Sequence, residues 1–158
     1  SPKYIWQFKA EEGIVSPVAK DGDLLFFASK DTYVYRLEAS EGKFIWKSPM
    51  GERLETGPVA AAKCVYQYVR GKGLTAIDKA SGKILWRLAE GTSLAAETPA
   101  KAYLASSVDG ILAMDLSKDP KPFGIPLSGV SKYAVNITDS KIYIADNMGR
   151  IACLKPIK

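Results

Sequence analysis

The chain has 158 residues, 47% hydrophobic and 25% charged, with 13 Gly and 9 Pro. This ordinary globular composition excludes a collagen-like fibre or a disordered tail and suits one domain spanning residues 1–158. Lys and Arg exceed Asp and Glu by 22 to 17, giving a net charge of +5, and no histidine is present. The commonest general base and any Ser–His or Cys–His nucleophile pair are therefore missing, and two cysteines are too few for a disulfide scaffold or a four-thiolate zinc site.

In chain order, the first recognisable element is Tyr4–Ile5–Trp6, a short apolar run. After the turn signal Asp21–Gly22–Asp23 comes the run Leu24–Ala28, then Tyr33–Leu37, rich in aromatic and β-branched residues. Glu41–Gly42–Lys43 forms the next turn and Phe44–Ile45–Trp46 the next strand. The series then recurs: Cys64–Val69, Leu74–Ile77, the turn Ser81–Gly82–Lys83, and Ile84–Leu85–Trp86. Further strands are expected near Tyr133–Thr138, Lys141–Ala145 and Arg150–Leu154. Strands of four to six residues divided by Gly, Asp, Asn and Ser turns are the signature of antiparallel hairpins. No helical period competes with them.

Three columns share one period. Trp6, Trp46 and Trp86 are 40 residues apart and Phe123 follows after 37; Pro17, Pro58 and Pro99 are 41 apart; Leu37, Ile77, Met114 and Leu154 step by 40, 37 and 40. Four-stranded units of about 40 residues predict an all-β propeller of about four blades. The units fall at 7–46, 47–86, 87–123 and 124–158, with residues 1–6 supplying the fourth strand of the last blade.

The segments Leu37–Trp46 and Ile77–Trp86 resemble the tryptophan-docking repeat of the PQQ-like β-propeller family: a small residue, Leu, Asp, a Thr/Ser-Gly-Lys turn, then Trp. Trp6, Trp46, Trp86 and Phe123, the turn glycines Gly42 and Gly82, and the turn acids Asp78 and Asp115 are the residues that carry it. The third copy is degenerate, with Phe123 in place of Trp and no Gly–Lys turn. Physically, an indole on an outer strand can cover the seam to the next blade, and glycine permits the tight turn beneath it. Members of this family commonly have seven or eight blades. The short chain thus has three ways to finish its ring: closing on itself, pairing with a second copy, or forming a piece of a longer protein.

Other features give further expectations. The Pro column places Pro17 opposite Pro99 and the Leu column places Leu24 opposite Lys101, so the first hairpin of the third blade is five residues short: either that hairpin is lost and the blade irregular, or residues are absent near Ala100, the reading preferred here. Cys153 shares a column with Ala76 and Ala113 and is expected to be buried; Cys64 and Cys153 are expected to be free thiols. Asp146–Asn147 reads as turn chemistry and not as a calcium site. The scattered lysines read as a solvated surface and not as a nucleic-acid footprint. No run reaches the ~20 apolar residues of a transmembrane helix, and no apolar signal segment stands at the start.

The resemblance, which includes an outer-membrane assembly lipoprotein, implies a non-catalytic scaffold without cofactor or metal. It also implies a protein partner, a second copy or a larger complex, in the bacterial periplasm, cell envelope or outside the cell. Candidate contact loops are Met50–Glu55, with exposed Arg53 and Glu55, and Ala89–Leu94. The competing readings are a fragment or subunit of a PQQ-dependent dehydrogenase and a ligand- or glycan-binding module using Tyr33, Tyr68 or Tyr133.

Overall fold

The structure is a computed structural model and describes residues 1–108, 110–117, 123–125 and 129–156. Among these, every regular element is a strand. The first sheet joins β1 (Ala19–Asp21), β2 (Leu24–Ala28), β3 (Tyr33–Glu38) and β4 (Phe44–Pro49) in that order. The second joins β5 (Val59–Ala60), β6 (Cys64–Val69), β7 (Gly73–Asp78) and β8 (Ile84–Leu88). The third joins β9 (Gly91–Glu97), β10 (Lys101–Ser106), β11 (Ile111–Asp115) and β12 (Phe123–Ile125). The fourth has three strands, β13 (Val130–Tyr133), β14 (Ile142–Asp146) and β15 (Ile151–Leu154). Each sheet is an antiparallel meander of consecutive strands, the blade pattern of a β-propeller.

The core lies between blades. Phe26, Val34 and Trp46 of the first blade pack with Met50, Leu54, Val65 and Ile77 at the second. Tyr66, Ala76 and Trp86 pack with Leu94, Leu104 and Met114 of the third. Tyr103 and Ala113 meet Ile142, with Ile144 and Leu154 alongside. Inner strands are thus covered on both faces, which is why Leu24–Ala28 reads as an unbroken apolar run and Cys64–Val69 is interrupted only by the buried Gln67.

The first hairpin of the third blade is intact, contrary to the expectation of missing residues. Asp21 pairs with Leu24, Ala61 N–H donates to Cys64 O at 2.9 Å, and Thr98 N–H donates to Lys101 O at 2.8 Å. Gly22–Asp23, Ala62–Lys63 and Pro99–Ala100 are therefore equivalent two-residue turns. Pro99 never belonged to the proline column: Pro17 and Pro58 precede the first strands of their blades, whereas Pro99 follows β9. The shortening lies elsewhere. Ala19, Val59 and Ala96 each pair with the seam aromatic of their blade, respectively Phe26, Tyr66 and Tyr103. From Trp46 to Val59 is 13 positions (46 to 59), but from Trp86 to Ala96 only 10 (86 to 96). The shorter connection is absorbed into β9, so Gly91–Leu94 is strand and Leu94 is buried; Ala89–Leu94 is not the free loop expected.

The N-terminal segment also departs from expectation. Residues 1–18 form no strand, and the last sheet ends at β15. The segment is held instead against the first blade: Phe8 packs on Phe27, Tyr35 and Phe44, with ring centroids 5.7–6.4 Å apart, and Lys30 N–H donates to Gly13 O. These contacts fix the segment to the blade that follows it in sequence, while β15 lies three blades away along the series.

Candidate functional site

The repeated local arrangement is a tryptophan of one unit laid on the glycine turn of the next. Trp46 sits on Gly82 and its Nε1–H donates to Lys79 O at 3.2 Å. Trp6 sits on Gly42 and donates to Ala39 O at 2.9 Å. Both glycines have positive φ, 66° and 74°, and a Cβ on either would collide with the indole. Glycine is thus needed for the left-handed backbone and for the ring's close approach. The turn below Trp46 is organised by Asp78, whose Oδ1 accepts Ser81 N–H at 2.7 Å and Ser81 Oγ–H at 2.6 Å. These bonds hold the Asp78 carboxyl below its ordinary range. In the first blade Asp23 does this work, accepting from Ser40 N and Oγ.

Trp86 is buried against Tyr66, 6.0 Å between ring centroids, yet its Nε1–H meets no acceptor among the described residues. The third turn, which carries the degenerate copy, lies in residues 118–122, outside those described. The side chain of Phe123 also lies outside them; its backbone belongs to β12. Asp115 closes β11 opposite Lys101.

Sequence reasoning missed Glu97. It is a buried carboxylate at the end of β9 whose Oε1 accepts Lys63 N–H at 2.7 Å and whose Oε2 accepts the Tyr66 hydroxyl at 2.6 Å. Ser140 Oγ–H donates to the Glu97 carbonyl at 2.5 Å, so one residue ties three blades together. No motif flagged it, because its partners come from distant turns. Burial, with Glu97 beside it, pushes the Cys64 thiol up to about 12. Burial likewise raises Tyr66 far above the ordinary phenol range.

Both cysteines are free, Cys64 buried and Cys153 exposed. The exposure of Cys153 corrects the expectation of a core position: its column is interior in the second and third blades, where a fourth strand covers it, and among the described residues no fourth strand covers β15. Asp146 caps its own turn, accepting Met148 N–H and Arg150 N–H at 2.9 and 3.0 Å.

In Met50–Glu55, Met50 and Leu54 point into the core while Arg53 and Glu55 are exposed. Arg53 reaches Glu12 Oε2 at 2.5 Å on the surface. A cleft of about 560 Å³ opens between the third and fourth blades beside Tyr103, lined by Lys101, Lys141, Lys155 and Asp139 among others. Among the described residues no three acidic, Cys or His side chains gather to hold a metal ion. No helix among the described residues is long and apolar enough to cross a membrane.

The tryptophan-on-glycine repeat and the four meanders now meet a family match. The model of the outer membrane protein assembly factor BamB family matches residues 3–119. The chain belongs to that family. No curated protein matches it at the sequence level. BamB from Moraxella catarrhalis superposes with a TM-score of 0.66 at 19% identity, over 94% of this chain and 48% of that one. The chain thus spans about half the length of that relative. The computationally designed Ika4 protein superposes at 0.63 with 12% identity, over 92% of both chains. Quinohemoprotein alcohol dehydrogenase ADHIIG from Pseudomonas putida HK5 superposes at 0.51 with 18% identity, over 80% of this chain and 22% of that one. These likenesses establish the propeller fold.

Proposed function

We propose that this chain is a non-catalytic propeller scaffold that binds protein partners in the bacterial envelope and serves outer-membrane protein assembly. The observation that carries this reading is the BamB-family match over residues 3–119. The geometry is compatible with it. Seam aromatics such as Trp46 and Trp86 are spent on packing, which leaves exposed loops on a rigid platform as the working surface. Arg53 and Glu55, on the loop anchored by buried Met50 and Leu54, are the contact residues of this proposal.

The test is titration of the purified chain into an outer-membrane assembly complex stripped of its own BamB-type factor. Saturable binding, weakened at least tenfold by Arg53→Glu with Glu55→Lys, is expected. Absence of binding by the unaltered chain refutes the reading. The cleft beside Tyr103 favours a second reading, a small aromatic ligand held in that cleft. Saturable quenching of intrinsic fluorescence by such compounds, lost in Tyr103→Ala, would support it. Likeness to a quinohemoprotein dehydrogenase at 18% identity concerns fold and carries no reaction here.

A further inference from the structure

One row of side chains sets the second blade apart from its neighbours. Gln67, Thr75 and Arg87 stand in register across β6, β7 and β8. The equivalent row is Phe27–Tyr35–Lys47 in the first blade and Leu104–Leu112–Gly124 in the third. Its inner two positions are aromatic or aliphatic in both neighbours but an amide and a hydroxyl here, and Gln67 and Thr75 are both 0% exposed. Burying such groups is unfavourable unless hydrogen bonds replace those to water. Their bonds therefore show what they are there to hold.

The bonds converge on one segment. Gln67 Nε2–H donates to Thr56 O and to Tyr68 O, each at 2.8 Å. Arg87 Nη2–H donates to Met50 O at 3.2 Å, and its Nε–H donates to Thr75 Oγ1 at 2.9 Å, so Thr75 orients the guanidinium. The row thus grips Met50–Thr56 at both ends. Met50 N–H also donates to Thr32 O at 2.8 Å, Lys72 Nζ–H donates to Gly51 O at 3.3 Å, and Met50 and Leu54 are buried. Arg53 and Glu55 stand exposed between the grips. The connection into the third blade is absorbed into β9 and leaves no such loop, and the row of that blade is apolar.

We propose that Gln67, Thr75 and Arg87 are positioning residues that latch Met50–Thr56 in one conformation, holding Arg53 and Glu55 in place before any partner arrives. Ordering a loop in advance removes an entropic cost of association. That a partner uses this loop rests on the function proposed above, whereas the latch itself can be read without a partner.

The probe is limited trypsin digestion followed by mass spectrometry. Cleavage after Arg53 needs Leu54 to leave the core, whereas cleavage after Arg36, within the β3 ladder, needs the first blade to open. In Arg87→Ala and in Gln67→Leu, cleavage after Arg53 is expected to rise about tenfold while cleavage after Arg36 rises far less, because the opening is local. Leu112→Ala in the third blade, away from the loop, is the control and should change both sites in proportion. A ratio of the two cleavages that is unchanged in Arg87→Ala overturns the latch, and so does an equal rise of that ratio in Leu112→Ala. Arg87 is exposed on the outer strand, so Arg87→Ala decides the matter if Gln67→Leu fails to fold. In the titration described above, Arg87→Ala should bind about fivefold more weakly than the unaltered chain. A loosened loop with undiminished binding sustains the latch and overturns the contact role of Arg53 and Glu55.

Discussion

Replacing Gly82 by alanine should uncouple the first seam. At φ 74° alanine carries a left-handed backbone cost of about 1–2 kcal/mol. Its methyl would stand 2.7 Å from Trp46 Cδ2 and 2.8 Å from Cγ, atoms of a rigid ring, so the indole must leave its bed. That forfeits the Nε1–H bond to Lys79 O, worth about 1 kcal/mol, and about 1–2 kcal/mol of burial against Phe26. The total, about 3–5 kcal/mol, corresponds to a Tm loss of roughly 6–20 °C for a chain of this size. Gly22→Ala is the control: φ is 56° but no atom lies within 4 Å of the added carbon, so only the backbone cost applies. Urea melts followed by tryptophan fluorescence measure both. Equal destabilisation by the two substitutions would refute the docking argument.

Trp46→Phe should cost about 1 kcal/mol more than Trp86→Phe, because of these two indoles Trp46 alone has an N–H acceptor among the described residues; paired denaturant midpoints test this. Asp78→Ala should destabilise at neutral pH and lose its effect in acid. The Asp78 carboxyl is depressed in the fold, so its contribution is present above its unfolded pKa of about 3.9 and disappears as pH falls through the folded value. A stability gap that persists at pH 2 would count against it. Cys64 should resist alkylation until unfolding, with reactivity appearing only across the denaturation transition. Because its pKa is raised to about 12, its stabilising share is full below its unfolded value of about 8.5 and is lost as pH climbs towards 12. Cys64→Ala should therefore flatten the alkaline arm of the stability profile, and an unchanged arm would contradict this reading. Glu97→Gln should destabilise by about 1–3 kcal/mol through its bonds to Tyr66 and Lys63, a cost that melts shared by the unaltered protein and the variant would disprove.

The amino-acid sequence alone determined the all-β class, the blade period and the tryptophan-on-glycine turns. Each of these is local chemistry: a positive-φ turn demands glycine at 42 and 82, and an indole at a fixed spacing follows from the strand that carries it. The tertiary structure decided the rest. Pro99 looked like a strand entrance because a proline is equally at home in a two-residue turn, and only the pairing of Thr98 with Lys101 separates the two. Cys153 looked interior because its column is interior in other blades, yet burial depends on a covering strand that no residue on β15 encodes. Glu97 was invisible for the same reason: its value lies in Lys63 and Tyr66 of the second blade and Ser140 of the fourth, brought to it only by the fold. Short-range torsional and turn preferences can be read along a chain, but burial and long-range pairing are properties of surfaces that meet only after folding.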